Sequence, residues 1–123
     1  MKFHLASAPG LNLFTGYGDG YVAVNGVRHE ASLVVLPERI IDPWDVPAFD
    51  ALAPADFEFL GGLGVEVVVL GTGARLRFPP VSMQRIVLQA GTGLETMDAM
   101  AACRTYNILA AEGRKVAAAI LLA

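Results

Sequence analysis

The stretch VEVVVLGTG, residues 65–73, decides the predicted fold. Its residues up to Leu70 are almost all β-branched or apolar, which is typical of a central strand that other layers cover on both faces. Gly71-Thr72-Gly73 ends this strand. Because helical patterns and short strands alternate after it, the sequence predicts an α/β domain in which helices join parallel strands.

Capping and chain-breaking residues place the elements that follow. Asp98 is a good N-cap for a helix, and Gly113 is a good stop for the same helix. The predicted elements are, in order, a short edge segment over 75–78, a helix from Pro79-Pro80 to Gly91, a strand over 94–97, a helix over 99–112 and a strand over 115–122.

The residues before Pro37 predict β structure. Asn25-Gly26 stands between residues 22–24 and the apolar run 31–36. This dipeptide is the strongest short hairpin signal, because both central residues of a type I′ turn need a positive φ. We therefore expect an N-terminal β-hairpin or meander.

Four prolines interrupt residues 37–62, so no long helix can pass through this segment. We expect two short helices there, over 46–52 and 55–60, with Trp44 and Phe49 as apolar anchors. The chain has 123 residues and shows no linker, so residues 1–123 are predicted to form a single domain.

Composition excludes several classes of protein. Apolar residues make up 54% of the chain and charged residues 17%, which is too apolar for a disordered protein. The net charge of −3 argues against a nucleic-acid partner. The longest apolar run, 116–123, is too short to cross a bilayer, so we expect a soluble, cytoplasmic protein without membrane insertion. A single cysteine excludes an internal disulfide, and no residue spacing indicates a metal or a cofactor.

Charge is unevenly distributed along the chain. Residues 1–70 hold nine acidic and three basic residues, whereas residues 71–123 hold three acidic and six basic ones. Arg75, Arg77 and Arg85 lie close together in the second part. They are our candidate partner surface, although two solvated faces of opposite charge are the commoner explanation of such a pattern.

The carboxyl ends of parallel strands are the usual place for a ligand cleft. In this chain that edge carries Gly71-Thr72-Gly73, whose backbone could hold an anion, and Asp98. Arg104 and Asn107 on the following helix are further candidate ligand-binding residues. The structural alternatives are an ion pair between Arg104 and Glu95 or Glu66, and an Asn107 side chain that ties down a neighbouring loop.

No residue pair indicates catalysis, so the sequence leans against an enzyme. Cys103 lies on an apolar stripe of its helix, which favours a buried structural thiol over a redox sensor. Its two potential bases, His4 and His29, both fall in the N-terminal β region. Glu95 and Asp98 do not form a convincing acid–base pair, because an N-cap carboxylate is held ionised by backbone N–H groups.

Residues 95–109 read ETMDAMAACRTYNIL, and Glu112-Gly113-Arg114 follows. Together with LGTG at 70–73, Asn25-Gly26 and Asp42-Pro43-Trp44, they resemble a family of small proteins of unknown biochemical activity. That family includes the mitochondrial assembly factor three for respiratory complex I and the adipogenesis-associated domain protein. The resemblance covers nearly the whole chain. Ala99 departs from the family pattern, which usually has Thr there.

The resemblance implies a three-layer α/β fold around a central mixed β-sheet flanked by helices, with the N-terminal β structure added to it. It implies no reaction, cofactor or catalytic residue, and only that some members bind other proteins during assembly of a membrane enzyme. We therefore expect a protein-binding or assembly-factor-like module. The alternative is a small anionic-metabolite binder or enzyme, with a cleft at the carboxyl ends of the central strands. Exposed hairpin edges would also suit a homo-oligomer.

Overall fold

A five-stranded mixed sheet forms the centre of the protein, which is described here by a computed structural model for residues 10–123. The strands are β1 (Phe14–Gly18), β2 (Tyr21–Val24), β3 (Val27–His29), β4 (Leu33–Leu36), β5 (Arg39–Ile41), β6 (Val67–Thr72), β7 (Gly93–Met97) and β8 (Val116–Leu121). The helices are α1 (Pro54–Gly61), α2 (Val81–Gln89) and α3 (Ala99–Ala111), and a 3₁₀ turn spans Phe49–Ala51. The central sheet has the order β5-β4-β8-β6-β7, and β1, β2 and β3 form a separate antiparallel sheet.

The central strands β4, β6 and β8 are buried on both faces. Their side chains alternate between two apolar cores: Val68 and Leu70 of β6 face one, and Val69 faces the other. Helices α1 and α2 contribute to the first core, whereas α3 and the three-stranded sheet contribute to the second. The predicted α/β class and the implied three layers around a mixed sheet are therefore confirmed.

Helices α2 and α3 lie on opposite faces of the sheet because the chain reverses its direction across it. Strand β7 pairs in parallel with β6 on one side, and β8 pairs in parallel with β6 on the other. The connection through α2 therefore moves one way along the sheet, and the connection through α3 moves back across β6. A right-handed crossover in each direction requires opposite faces.

The predicted Asn25-Gly26 turn is present and joins β2 to β3. Asn25 has a φ of 50° and Gly26 a φ of 82°, as a two-residue type I′ turn demands. The run 31–36, however, is not the second arm of this hairpin. Its strand, β4, pairs with β8 in the central sheet, because four consecutive apolar residues need cover on both faces.

Asn107 of α3 connects the three-stranded sheet to the rest of the protein. Its Oδ1 accepts a hydrogen bond of 2.9 Å from the backbone N–H of Phe14, and its Nδ2 donates one of 2.8 Å to the Phe14 carbonyl. The side-chain amide thus pairs with β1 as a neighbouring strand would. The ring of Phe14 also packs edge-on against Tyr106, with 5.4 Å between ring centroids, and Tyr106 Oη donates to the carbonyl of Asn12.

Two local predictions differ from the structure, and the sequence did not predict one short strand. Residues 46–52 form only the 3₁₀ turn rather than a helix, because Pro47 and Pro54 leave too few residues for regular hydrogen bonding. Residues 75–78 form no strand; the segment is irregular up to α2. Strand β5 was not anticipated, since its three residues are short and begin with an exposed Arg39.

Replacing Asn107 by Ala should destabilise the protein strongly. The Asn107→Ala change leaves a buried N–H and a buried carbonyl of Phe14 without partners, so we expect the free energy of unfolding to fall by about 3 kcal/mol. Urea denaturation measures it. The matched control is Ile108→Ala on the exposed side of the same helix, which should cost less than about 1 kcal/mol. Equal stability of the two variants would show that the amide pair contributes little.

A side chain at Gly71 should also destabilise the fold. A Cβ atom there would lie 3.0 Å from Ala102 Cβ, Ala99 Cα and Ile120 Cδ1, so α3 would have to move away from β6. We expect Gly71→Ala to cost about 1–3 kcal/mol. The control, Gly93→Ala on β7, meets nothing closer than 3.5 Å and should have a much smaller effect in thermal denaturation.

Candidate functional site

The carboxyl-end edge of β6 and β7 carries the residues that the sequence placed in a cleft. A cavity of about 270 Å³ lies at this edge, and we call it the Asp98 cavity. Its wall is built from the β1–β2 turn, the exit of β6, the start of α3 and the end of β8: Gly18, Asp19, Gly20, Tyr21, Val22, Gly73, Ala74, Asp98, Ala99, Met100 and Leu122. Gly73 and Asp98 are thus brought together, as predicted.

Asp98, which stands in this wall, acts as the N-cap of α3. Its Oδ1 accepts a hydrogen bond of 2.9 Å from the backbone N–H of Ala101, as expected of an N-cap. Arg104 is exposed and does not line the cavity. Its guanidinium makes no ion pair with Glu95 or Glu66 in the described chain, since Glu66 pairs with Arg114 instead. Asn107 is bonded to β1 and also stays outside the cavity.

The charges of the Asp98 cavity do not favour an anionic ligand. Asp19 and Asp98 are the ionisable carboxylates in its wall, and the described wall contains no lysine, arginine or histidine. An anion there would meet like charges without a compensating cation. The anionic-metabolite alternative therefore gains no support from this arrangement.

The prediction that Gly71-Thr72-Gly73 ends the strand is wrong for the first two residues, because Gly71 and Thr72 belong to β6 and pair with β8. Each of the three residues has a separate structural task. Gly71 permits the close packing of α3, and Gly73 has a φ of +94°, a conformation that favours glycine. The hydroxyl of Thr72 lies within 2.8 Å of the Arg75 carbonyl oxygen, to which it donates, and it accepts a 3.1 Å hydrogen bond from the backbone N–H of Arg77. Thr72 therefore holds the irregular segment 73–80 in a defined shape.

Segment 73–80 presents apolar side chains to solvent. Leu76 is 48% exposed and Phe78 is 66% exposed. Val81 and Leu88 on α2, exposed by 66% and 55%, extend this surface because residues seven apart lie on the same side of a helix. Scattered single exposed leucines need no explanation, but a contiguous apolar group is typical of an interaction surface.

Arginines flank this apolar group, but they are not equivalent. Arg77 Nη2 lies 2.7 Å from Asp50 Oδ1, and its guanidinium stacks 4.2 Å above the Phe49 ring. The hydrogen bond from Arg77 and its charge lower the pKa of Asp50 below the ordinary value. Arg75 and Arg85 are exposed and form no ion pair within residues 10–123. They remain the available cations of the predicted partner surface.

A second cavity at the carboxyl-end edge adjoins the Asp98 cavity. It measures about 430 Å³, and we call it the Trp44 cavity. Its wall consists of Gly20, Glu30, Ala31, Ser32, Pro43, Trp44, Asp45, Val46, Pro47, Leu122 and Ala123. Sequence reasoning missed this site, because its wall combines four segments that are distant in the chain and match no motif. The single tryptophan was expected only as an apolar anchor, which its burial confirms.

Cys103 is buried in the core beneath the three-stranded sheet. Burial raises the pKa of its thiol to about 12, and the charge of Asp98 adds to this shift. His29 does not serve it as a base, because its Nδ1 lies 2.6 Å from Asp42 Oδ2 and its buried Nε2 has no hydrogen-bond partner among the described residues; His4 lies outside the described residues. This environment keeps the thiol protonated and is opposite to that of a reactive cysteine.

Cys103 should therefore resist thiol reagents in the folded protein. At neutral pH we expect Ellman's reagent to label native protein at least about a hundredfold more slowly than urea-unfolded protein, because labelling must wait for opening of the core. Absorbance of the released thiolate follows the reaction. Rapid labelling of native protein would instead show an accessible thiol and restore the redox-sensor hypothesis.

No helix in the described part of the chain is both long and apolar enough to cross a membrane. Within residues 10–123 there is also no cluster of three or more histidine, cysteine, aspartate or glutamate side chains suited to a metal ion.

Comparison with known proteins finds an uncharacterised protein and a named assembly factor among the relatives of the chain. It is 35% identical to an uncharacterised protein of Rhodobacter capsulatus, over 86% of this chain and 81% of that protein. It is 33% identical to NADH dehydrogenase (ubiquinone) 1 alpha subcomplex assembly factor 3 of Bos taurus, over 83% of this chain and 55% of the relative. The chain thus spans about half the length of that assembly factor.

A solved structure supports the fold. The crystal structure of a Bordetella parapertussis protein superposes with a TM-score of 0.86 at 40% sequence identity, covering 95% of this chain and all of that one. The family described as "Protein of unknown function (DUF498/DUF598)" matches residues 14–121. The predicted relationship to complex I assembly factors is confirmed, and the chain belongs to the DUF498/DUF598 family of proteins of unknown function.

Proposed function

We propose that this protein is a protein-binding module of the assembly-factor type, and that segment 73–80 with the exposed side of α2 is its partner surface. The observation that carries the proposal is the group of exposed apolar side chains, Leu76, Phe78, Val81 and Leu88, beside Arg75 and Arg85. The similarity to a protein named as a complex I assembly factor supports the same class of function. A cytoplasmic location is part of the proposal.

The surface is suited to recognition because its shape is fixed before a partner arrives. Thr72 bonds the backbone of segment 73–80 at Arg75 and Arg77, and Pro79 is buried at its end. A surface that is already ordered loses less conformational entropy on binding than a flexible loop does. Phe78 is the natural anchor, since aromatic residues carry a large share of binding energy in interfaces.

The partner that fits this surface is an acidic segment with an apolar anchor of its own. At the end of segment 73–80, a cavity of about 250 Å³ is lined by Phe49, Asp50, Leu52, Pro79, Pro80 and Met83. Asp50 is already paired with Arg77, so Arg75 and Arg85 are the cations left to attract carboxylates. Such charges would set the encounter rate and the choice of partner more than the affinity.

Charge reversal and anchor removal should both weaken partner capture. We expect the double variant Arg75→Glu/Arg85→Glu and the variant Phe78→Ser each to retain a shared set of captured proteins about tenfold less than the wild-type protein does. Quantitative mass spectrometry after affinity capture from the source cells measures this retention.

Matched control variants keep the experiment specific. Arg39→Glu reverses an exposed arginine on β5, and Ile108→Ser removes an exposed apolar side chain on α3, which lies on the opposite face of the sheet. Both should capture the partners as well as wild type does. Equal losses of capture in the controls would show that the partner surface lies elsewhere. Unchanged capture by the folded test variants would contradict the proposed surface.

A further inference from the structure

Ser32 is a buried polar residue whose hydrogen bonding the fold does not account for. It is 5% exposed and belongs to the wall of the Trp44 cavity. Its Oγ has no hydrogen-bond partner within residues 10–123. Burying a hydroxyl without a partner costs about 1–3 kcal/mol, so this hydroxyl calls for a partner that the described residues do not supply.

The charges around this cavity indicate the sign of charge that a ligand there would carry. Glu30 and Asp45 stand in the wall of the Trp44 cavity. Glu30 is paired with Arg28 at 3.1 Å, whereas Asp45 forms no ion pair with any described residue. The adjoining Asp98 cavity shares two wall residues with it and adds two further carboxylates. Neither described wall contains a lysine, arginine or histidine, so the field favours a cation.

This wall suits an organic cation better than a metal ion. A metal ion would need several ligating side chains within reach of one point, and the described chain offers no such cluster. The remaining wall is mostly apolar, with Pro43, Trp44, Val46 and Pro47 on one side. An apolar body would pack against the exposed Pro43 and Pro47, close to the buried Trp44 ring.

We infer that the Trp44 cavity binds a small primary amine with an apolar body. The Ser32 hydroxyl, which is closed to solvent in the free protein, turns toward the cavity and accepts a hydrogen bond from the ammonium group. The ammonium lies in the field of Asp45, and the apolar body contacts the exposed Pro43 and Pro47. A primary ammonium has three donors and no acceptor, which suits a wall whose ionisable groups are carboxylates. This site is separate from the proposed partner surface, so either inference can fail without the other.

Trp44 makes the inference directly measurable because it is the only tryptophan in the chain. Phenethylamine is the probe, and 2-phenylethanol, which has nearly the same shape without the charge, is its matched control. We expect phenethylamine to change the Trp44 emission saturably and to bind at least about tenfold more tightly than the alcohol. Equal binding of amine and alcohol, or no saturable change with the amine, overturns the inference.

Two variants separate binding from folding. Ser32→Ala should weaken phenethylamine binding about tenfold without lowering the Tm of the free protein, since it removes a hydroxyl that the fold leaves unpaired. Asp45→Asn should weaken the amine but not the alcohol. Ser82→Ala, at an exposed serine on α2, should bind like the wild-type protein. A lower Tm for Ser32→Ala with unchanged amine affinity would show a structural serine and refute the site.

Discussion

The burial of β6 and β8 on both faces is the constraint from which the other layers follow. A strand without a solvent face needs apolar cover on each side, and here one core is closed by α1 and α2 and the other by α3 with the three-stranded sheet. Gly71 sets how close the second cover can come, because a Cβ there would collide with the backbone of α3 at Ala99. The proximity of α3 to β6 in turn places Asp98 beside the exit of β6, where the Asp98 cavity lies.

Features governed by local chemistry could be predicted from the sequence. The Asn25-Gly26 turn, the Asp98 cap and the buried strand after Gly64 all depend on neighbours in the chain, and each is present. Pairing of the run 31–36 with β8 could not be predicted, because the chain contains several apolar segments that could pair with this run equally well by sequence pattern. The same limit explains Asn107: its residue type permits a ligand contact or a backbone contact, and only the position of β1 decides between them.

The candidate sites likewise combine features that sequence neighbours determine with features that depend on contacts between distant segments. The proximity in sequence of Arg75, Arg77 and Arg85 suggested a common surface. The ion pair between Arg77 and Asp50, however, joins two segments 27 residues apart and could not be predicted. The exposed Phe78 could not be recognised from the sequence, since an apolar residue before two prolines is equally consistent with a core position. Trp44 and Ser32 meet in one cavity wall only because β4 runs beside the segment that follows β5, where the Trp44 N–H donates to the Ser32 carbonyl.

The two proposed binding regions have opposite electrostatic character and different positions on the same scaffold. Acidic side chains surround the cavities at the carboxyl-end edge, whereas Arg75 and Arg85 remain the available cations beside the apolar group on segment 73–80 and α2. A single ligand chemistry therefore does not suit both. The exit of β6 connects them, since Gly73 and Ala74 line the Asp98 cavity and the chain then continues directly into segment 73–80. The Thr72 hydroxyl fixes that exit, because it donates to the Arg75 carbonyl, accepts from the Arg77 N–H and lies 3.3 Å from the Met97 carbonyl at the end of β7. A small cation and an acidic partner segment would therefore bind on either side of a fixed connection, and neither would have to rearrange the sheet.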